Sequence, residues 1–306
     1  MRTFLVANPQ SANGETGRRW PEIQAEVLRV LGGTADHAFT ERPMHAASLT
    51  ARALEEGYRR IVVIGGDGTV NEVVNGFFQV PGGPPADASL SLIPRGTGGD
   101  FRRTFDLDGR LKEACLRLRE EMLRPLDVGL VRFTAPDGRQ GERYFVNVAS
   151  FGASGRVDRK VNETTKALGG RASFFLGSVK ALAGWRDQAV RIRVDGGEEQ
   201  PLEVTTLAVA NARYFGGGMK VAPQADPSDG LFDVTVWSGY RLKDFALKAR
   251  SLYDGTHTRW SGTRTFRCRR LEATSAEEVL LDVDGEQPGR LPATFEILPG
   301  AIQLRV

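Results

Sequence analysis

The segment IVVIGGDGTVNEVVNG at residues 61–76 has the residue types and spacing of a phosphate-binding turn. Glycines let backbone N–H groups approach a ligand closely, and the start of a helix offers N–H groups without helical partners. Asp67 in this turn would repel phosphate unless a metal ion lay between them, which indicates a nucleotide bound together with Mg²⁺. The alternative is a plain strand-to-helix turn in which Asp67 is the N-cap residue.

Other catalytic motifs are absent from the sequence. It lacks the G-x-x-x-x-G-K-[ST] loop, the G-x-G-x-x-G turn, and the H-R-D and D-F-G motifs of protein kinases. Its three histidines have no metal-ligand spacing, and neither Cys115 nor Cys268 has a C-x-x-C neighbour. We therefore expect neither zinc chemistry nor a disulfide framework.

Strands and helices must position the glycine turn, and the first 125 residues alternate between the two. We predict strands at 2–9, 34–40, 61–66 and 89–94, and helices at 19–31, about 45–56, 69–79 and 110–122. The run at 61–66 is continuously apolar, as in a strand buried on both faces. This alternation predicts an α/β domain with a parallel sheet covered by helices.

After Asp127 the pattern changes to strand-like segments separated by turns. They are DVGLVRF, RYFVNVAS, QAVRIRVD, LEVTTLAVAN, LFDVTVW, RTFRCRRLEA, EVLLDVDG and ATFEILP. Helices are predicted only at about 170–185 and 241–253. The second domain should be β-rich, antiparallel and sandwich-like. We expect domains at 1–127 and 128–297 with a cleft between them, and the last strand, about 298–306, can return to the first domain.

Composition narrows the class of protein. The 306 residues are 41% hydrophobic and 26% charged, which excludes a disordered, collagenous or coiled-coil chain. No apolar run is long enough to span a membrane, and the first residues do not resemble a signal sequence, so we expect a cytoplasmic protein. A net charge of +3 without a basic stripe argues against a nucleic-acid partner.

The block GGDGTVNEVVNG at 65–76 resembles the signature of the diacylglycerol kinase catalytic-domain family, which includes bacterial lipid kinases, sphingosine kinases and ceramide kinases. Further family blocks recur in order along nearly the whole chain. They are the Asn8–Gly14 loop, Thr40, IPRGTGGDF (93–101), PLDVG (125–129), FGGGMKVAP (215–223), DPSDGLFDV (226–234) and VDGE (283–286). The resemblance implies a phosphofructokinase-like or NAD kinase-like first domain that binds the nucleotide, and a β-rich second domain that binds the lipid.

The resemblance also implies a nucleotide site. The residues that would contact ATP are Asn8, Pro9, Ser11, Gly14, Thr40, Gly66, Asp67, Gly68, Thr69, Asn71, Glu72 and Thr97. Within it, Asp67 would organise the phosphates and the metal. For the first loop, a plain strand-to-helix connection stays open as an alternative. The chain departs from the family at Gly99, where an asparagine is usual, and the role of the following Asp100 is left open.

By the same resemblance, Glu286 is the general base that accepts the proton of the lipid hydroxyl. Asp127 matches a carboxylate that holds a water or metal beside this base. An ordinary hairpin turn is the alternative for the VDGE segment. Asp226, Asp229 and Leu231 would supply oxygen ligands to Mg²⁺, and a solvated turn is the alternative there.

The expected function is that of an ATP- and Mg²⁺-dependent kinase that phosphorylates a hydroxyl of a membrane lipid such as diacylglycerol. Such an enzyme must visit the membrane surface peripherally, and the segment from Arg171 to Trp185 is a candidate contact unless it faces the core. A homodimer is also open. The rival functions are a kinase for a soluble substrate, of the NAD kinase type, and a non-catalytic lipid or nucleotide sensor.

Overall fold

A computed structural model describes residues 1–96, 98–107, 109–120, 122–155 and 184–306. These residues form two compact units. Unit 1 comprises Met1–Asp127 and Pro299–Val306, and unit 2 comprises Val128–Leu298. Thr97, most of the predicted helix at about 170–185 and most of the candidate membrane contact lie outside the described residues.

Unit 1 contains a parallel sheet. Its strands are β1 (Thr3–Ala7), β2 (Asp36–Phe39), β3 (Arg60–Gly65) and β4 (Ser89–Pro94). The strand order is β2-β1-β3-β4. The last strand of the chain, β15 (Arg290–Arg305), ends in unit 1, where Gln303 pairs in parallel with Ser89 of β4. Because every strand of this set runs in the same direction, the loops after β1, β3 and β4 lie along one edge of the sheet.

Six helices follow the strands of unit 1. They are α1 (Glu15–Arg18), α2 (Trp20–Leu31), α3 (His45–Glu55), α4 (Asp67–Phe77), α5 (Asp100–Thr104) and α6 (Leu111–Leu116), the last continued by a 3₁₀ turn at Arg117–Arg119. The buried face of α2 carries Trp20, Ile23, Val27 and Val30, and these side chains pack against the sheet. Helix α4 begins two residues before the predicted start, and α6 is shorter than predicted.

Helices α3 and α4 pack at very short distance. A Cβ atom on Gly76 of α4 would lie 2.4 Å from the carbonyl oxygen of Ala47 in α3. Only glycine allows this approach, which fixes α4 and therefore the turn at its N-terminus.

Unit 2 consists mainly of antiparallel strands. They are β5 (Leu123–Thr134, which starts in unit 1), β6 (Gln140–Phe145), β7 (Val148–Gly152), β8 (Gln188–Val194), β9 (Glu199–Val204), β10 (Thr206–Ala210), β11 (Phe232–Trp237), β12 (Thr263–Cys268), β13 (Arg270–Thr274) and β14 (Leu281–Val283). One sheet has the order β12-β11-β10-β7-β14. In a second set, β13 pairs with β15 and β8, β8 pairs with β9, and β5 pairs with β6. Helix α7 (Leu242–Asp254) follows β11.

Three segments that we predicted as single strands are each divided in two. RYFVNVAS contributes to β6 and β7, LEVTTLAVAN to β9 and β10, and RTFRCRRLEA to β12 and β13. Conversely, ATFEILP and the final residues AIQLRV form one continuous strand, β15. The number and bounds of these strands were therefore wrong, although their antiparallel character was correct.

Large side chains fill the interior of unit 2. Phe145 stacks on Phe232 with ring centroids 5.6 Å apart, and both rings are fully buried.

Burial raises the pKa of Cys115 in unit 1 and of Cys268 in unit 2 to about 12, so both thiols stay protonated at neutral pH. Within the described ranges, no helix is both long enough and apolar enough to cross a membrane.

Candidate active site

The glycine turn after β3 is built by close backbone contacts. Gly65 ends β3, Gly66 is the N-cap residue of α4, and Asp67 is the first helical residue. A Cβ atom on Gly65 would lie 2.5 Å from Oγ1 of Thr69, so the threonine side chain folds back over the turn. Asn8, in the loop after β1, donates from Nδ2 to Thr69 Oγ1 at 3.2 Å. The predicted nucleotide residues Asn8 and Thr69 are therefore neighbours.

A second glycine loop lies against the first. A Cβ atom on Gly96 would lie 2.6 Å from Cα of Gly66, and the backbone N–H of Arg95 donates to the carbonyl of Gly65 at 2.7 Å. The loops after β3 and β4 thus run in direct backbone contact. Beside Gly68, by contrast, a Cβ atom would have open space, with no atom of the described residues within 4 Å apart from its chain neighbours and the backbone of its own helix.

The Asp67 carboxylate joins these two loops. Its Oδ2 atom accepts N–H bonds from Gly99 at 2.7 Å and from Asp100 at 3.1 Å, and its Oδ1 atom accepts one from Phe101 at 3.0 Å. Asp67 therefore caps the N-terminus of α5 rather than that of its own helix, which has no side-chain cap. The N-cap interpretation from the sequence named the right interaction and the wrong helix.

The first loop is held by its own side chains. Ser11 Oγ donates to the carbonyl of Asn8 at 2.8 Å and lies 2.7 Å from Thr16 Oγ1. Gly14 has a φ of 78° at the N-cap position of α1, and Pro9 accepts the backbone N–H of Gly17 at 3.1 Å. The loop is therefore a compact turn between β1 and α1.

The other predicted nucleotide residues lie around this edge or within α4. The N–H of Thr40, directly after β2, donates to the carbonyl of Ala7 at 2.9 Å. Glu72 Oε2 accepts the N–H of Ala46 at 3.1 Å and so caps the start of α3. Asn71 is buried inside α4. The Glu72 carboxylate therefore has a structural partner that sequence spacing did not reveal.

Gly99 occupies a left-handed backbone position. Its φ is 72° and its ψ is 36°, and it precedes Asp100, the first residue of α5. Asp100 is buried and pairs with Arg103 at 3.1 Å. Asparagine tolerates this conformation better than other residues with a Cβ atom, so the backbone here would accept the asparagine that the family usually carries.

In unit 2, the VDGE segment is a tight hairpin turn. Val283 and Glu286 exchange backbone hydrogen bonds of 2.8 and 3.1 Å across Asp284 and Gly285, whose φ angles are 49° and 87°. Two consecutive positive φ angles define a type I′ turn, for which Asp-Gly is a preferred pair. The hairpin that we considered as an alternative is therefore present, and Glu286 is the last residue of this turn.

Asp284 fixes this turn to the start of β7. Its carboxylate accepts N–H bonds of 3.0 Å from each of Val146, Asn147 and Val148. The buried Asp282 accepts the N–H of Gly285 at 2.9 Å. In contrast, the Glu286 side chain is exposed and makes no hydrogen bond or ion pair with any residue that the structure describes. Its oxygens are available to an incoming hydroxyl.

Asp127, the last residue of the first segment of unit 1, is almost fully buried. Its Oδ1 atom accepts the N–H of Gly300 at 2.7 Å. The carboxylate therefore anchors the chain where it re-enters unit 1 near its C-terminus.

The Asp226–Leu231 loop presents hard oxygen donors. Asp226 Oδ1 accepts the hydroxyl of Ser228 at 2.7 Å, and Asp229 Oδ1 accepts the N–H of Leu231 at 3.0 Å. Arg267 pairs with Asp229 at 3.2 Å and with Asp233 at 3.3 Å. This counter-charge was not predicted from the sequence. Among the described residues, no cluster of three or more His, Cys, Asp or Glu side chains has metal-site geometry.

A glycine-lined turn at the carboxyl edge of a parallel sheet is the usual position of a phosphate-binding site in an α/β protein. A diacylglycerol kinase catalytic domain model matches residues 2–131, and a YegS C-terminal NAD kinase beta sandwich-like domain model matches residues 147–306. The chain belongs to the diacylglycerol kinase catalytic-domain family and is a lipid kinase. The family recognised from the sequence is confirmed.

Individual proteins agree with this assignment. The chain is 26% identical over 294 residues to the diacylglycerol kinase of Staphylococcus saprophyticus, covering 96% of this chain and 92% of that protein. The crystal structure of a putative diacylglycerol kinase from Bacillus anthracis str. Sterne has a TM-score of 0.79 at 22% identity, covering 99% of this chain and 94% of that chain. Yeast NADH kinase has a TM-score of 0.51 at 11% identity, covering 99% and 82%. These two structures support the predicted fold class, which is confirmed.

Proposed function

We propose that this lipid kinase transfers the γ-phosphoryl group of ATP to the hydroxyl of diacylglycerol. The observation that carries the proposal is the backbone contact between Gly66 and Gly96, which joins two glycine turns at the carboxyl edge of the sheet. Ligands of open α/β sheets bind at this edge, and backbone N–H groups there suit phosphate oxygens. Unit 1 would bind the nucleotide, and unit 2 would bind the lipid.

Glu286 is the proposed general base. As the hydroxyl oxygen bonds to the γ-phosphorus, the bond to the β,γ-bridging oxygen breaks, ADP leaves, and the hydroxyl proton passes to the carboxylate. Glu286 is exposed, has no side-chain partner in the part of the chain that the structure describes, and lies on a turn fixed by Asp284, which supports this role. Asp67 is proposed to organise the phosphate-binding loops, and Asp127 to act as a positioning residue.

Mg²⁺ is the proposed metal. It would accompany ATP, whose phosphate charge it neutralises, and a second ion would be held by the carboxylates of Asp226 and Asp229 and the carbonyl of Leu231. The donor set fits a hard cation. Burial raises the pKa of Asp233, Arg267 opposes that rise through its charge and its hydrogen bond, and the charges of Asp229 and Asp226 add smaller contributions to the rise.

The substrate is tested with radiolabelled ATP and a panel of lipids in mixed micelles, with NAD and NADH as soluble acceptors. Diacylglycerol is the expected acceptor, as the name of the Staphylococcus relative suggests. Label in a sphingolipid alone would replace the proposed substrate, and label in NAD or NADH without any in lipid would refute it. Leaving out Mg²⁺ in the same assay should abolish transfer.

Glu286→Gln tests the base. The amide keeps the size of the side chain but cannot accept a proton, so we expect kcat to fall by roughly 10²- to 10⁴-fold while direct ATP binding is unchanged. Glu278→Gln, at another exposed glutamate of unit 2, is the matched control and should keep wild-type kcat. A Glu286→Gln enzyme with near-normal kcat would reopen Asp67 and Asp127 for this role.

A lipid acceptor also requires access to a bilayer, and we propose transient peripheral contact with the membrane. The protein should sediment with vesicles that contain diacylglycerol, and a smaller fraction of it should sediment with vesicles that lack diacylglycerol. A homodimer is a further proposal, which light scattering of the purified chain decides.

A further inference from the structure

The proposed nucleotide site needs a positive charge that its glycine turns do not carry. Residues 8–14 and 65–69 contain no lysine or arginine. A nucleotide triphosphate carries several negative charges, and arginine binds phosphate through paired, charge-assisted hydrogen bonds. The first cation after β4 is Arg95, whose backbone N–H donates to Gly65 at the base of the turn.

The Arg95 side chain crosses the edge of the sheet. From the end of β4, its Nη2 atom reaches Glu15 Oε1 at 3.2 Å, at the start of α1 and directly after the first loop. Strand β3 lies between β1 and β4, so the guanidinium passes the end of β3, where the Gly66 turn begins. The side chain is only 12% exposed. Arg95 therefore lies among the three loops that we assign to the phosphates.

The guanidinium of Arg95 has a hydrogen-bond donor for which the described residues supply no acceptor. The Nε atom of Arg95 is buried and has no hydrogen-bond partner among the residues that the structure describes. Buried donors are normally paired, and an unpaired one calls for an explanation such as a ligand. Arg103, a nearby cation in α5, is already bonded to the carbonyl of Gly98 and to Asp100. Arg95 is thus the better candidate for a ligand.

Glu15 can release Arg95 at low cost. It also pairs with Arg19, whose Nη1 lies 3.0 Å from Glu15 Oε1, and its side chain is 44% exposed. The hydrogen bond from Arg19, followed by the charge of Arg95, lowers the pKa of Glu15, so the carboxylate stays ionised. When Arg95 turns towards a phosphate, Glu15 keeps Arg19 as its partner. The Glu15 side of the Arg95 pair is exposed to solvent, which weakens this ion pair.

We propose that Arg95 binds the phosphates of the nucleotide and that Glu15 is its counter-ion in the nucleotide-free protein. The inference rests on the proposed use of ATP and assigns a phosphate ligand that the glycine motif does not contain. It makes Arg95 a binding residue whose contribution depends on the number of phosphates in the ligand.

Equilibrium binding of ATP, ADP and adenosine, each in EDTA and in Mg²⁺, tests the assignment. Arg95→Ala should raise the Kd of ATP and of ADP by about 10- to 100-fold, the range for charge-assisted hydrogen bonds, and leave that of adenosine unchanged. Arg95→Lys, which keeps the charge, should recover most of the loss. Arg19→Ala removes the other partner of Glu15 and should weaken ATP and ADP binding by only a few-fold, much less than Arg95→Ala, with adenosine binding unchanged.

Glu15→Gln tests the counter-ion. Without the competing carboxylate, ATP should bind as tightly as in the wild type or a few-fold more tightly. If Arg95→Ala lowers the melting temperature, Arg95→Gln supplies the same neutral comparison with a longer polar side chain. Unchanged ATP affinity in both neutral variants, or an equal loss for adenosine, would overturn the inference. Absence of ATP binding in the wild type would instead refute the proposed function.

Discussion

Replacement of Asp67 should destabilise unit 1 even when no nucleotide or metal is present. In Asp67→Ala the N–H groups of Gly99, Asp100 and Phe101 lose their acceptor. If each bond contributes about 1 kcal/mol, the free energy of unfolding falls by about 3 kcal/mol. For a chain of 306 residues, that loss lowers the melting temperature by roughly 5 °C.

Asp67→Asn should lower the free energy of unfolding by less than Asp67→Ala does. The amide oxygen can still accept the two N–H bonds now received by Oδ2, but the NH₂ group then faces the N–H of Phe101. We expect a loss of about 1–2 kcal/mol for Asn, between the wild type and Ala. Glu72→Ala is the matched comparison because Glu72 accepts a single N–H, that of Ala46, and should cost about 1 kcal/mol.

The assay is denaturant unfolding in EDTA, followed by kinase activity with Mg²⁺ and ATP. Asp67→Ala should lose activity, since the loops that we propose to hold the phosphates are no longer joined, and Asp67→Asn should lose less because two of the three bonds remain. If Asp67 were only a metal ligand, the pattern would differ: the metal-free variants would keep their stability and only activity would be lost. Unfolding free energies of Asp67→Ala and wild type within 0.5 kcal/mol of each other would refute the capping argument.

Three further outcomes are expected. Gly99→Asn should keep activity within about threefold in the lipid assay, because its φ of 72° suits asparagine and the nearest obstacle is the flexible Arg102 side chain. Asp229→Ala should abolish any rise in melting temperature on adding Mg²⁺ while ATP affinity stays unchanged; no such rise in the wild type would count against the site. Burial lowers the pKa of His257 below the value of about 6.5 that this residue has in the unfolded chain. As the pH falls through about 6.5, the unfolded state therefore takes up a proton at this residue before the folded state does. Unfolding free energy should therefore fall between pH 7 and pH 5, and His257→Gln should show a shallower fall.

The strand, turn and helix at residues 60–77 could be predicted from sequence because their signals are local. Arg60–Gly65 carries a β-branched run whose last five residues are fully buried, and the glycines follow at once. Burial on both faces removes the alternation of polar and apolar residues, leaving a pattern that few other structures produce.

The divided strands of unit 2 could not be predicted, because the groups that divide them are distant in sequence. Asp284 accepts the N–H groups of Val146 and Asn147 at the break between β6 and β7. Asp195 accepts the N–H groups of Arg269 and Arg270 at the break between β12 and β13. Neither break contains a glycine or proline that would mark it in the sequence.

The carboxylates of the candidate site separate into two kinds by their hydrogen bonds. Asp67 and Asp284 each accept three backbone N–H bonds, so much of their lone-pair capacity is already used to hold a loop in place. Glu286 accepts none from the described residues and is exposed. A general base needs an oxygen that is free to take a proton, whereas a positioning group needs bonds that persist. On this ground Glu286 is a better base than Asp67, and loss of activity in Asp67 variants should accompany loss of stability, while in Glu286→Gln it should not.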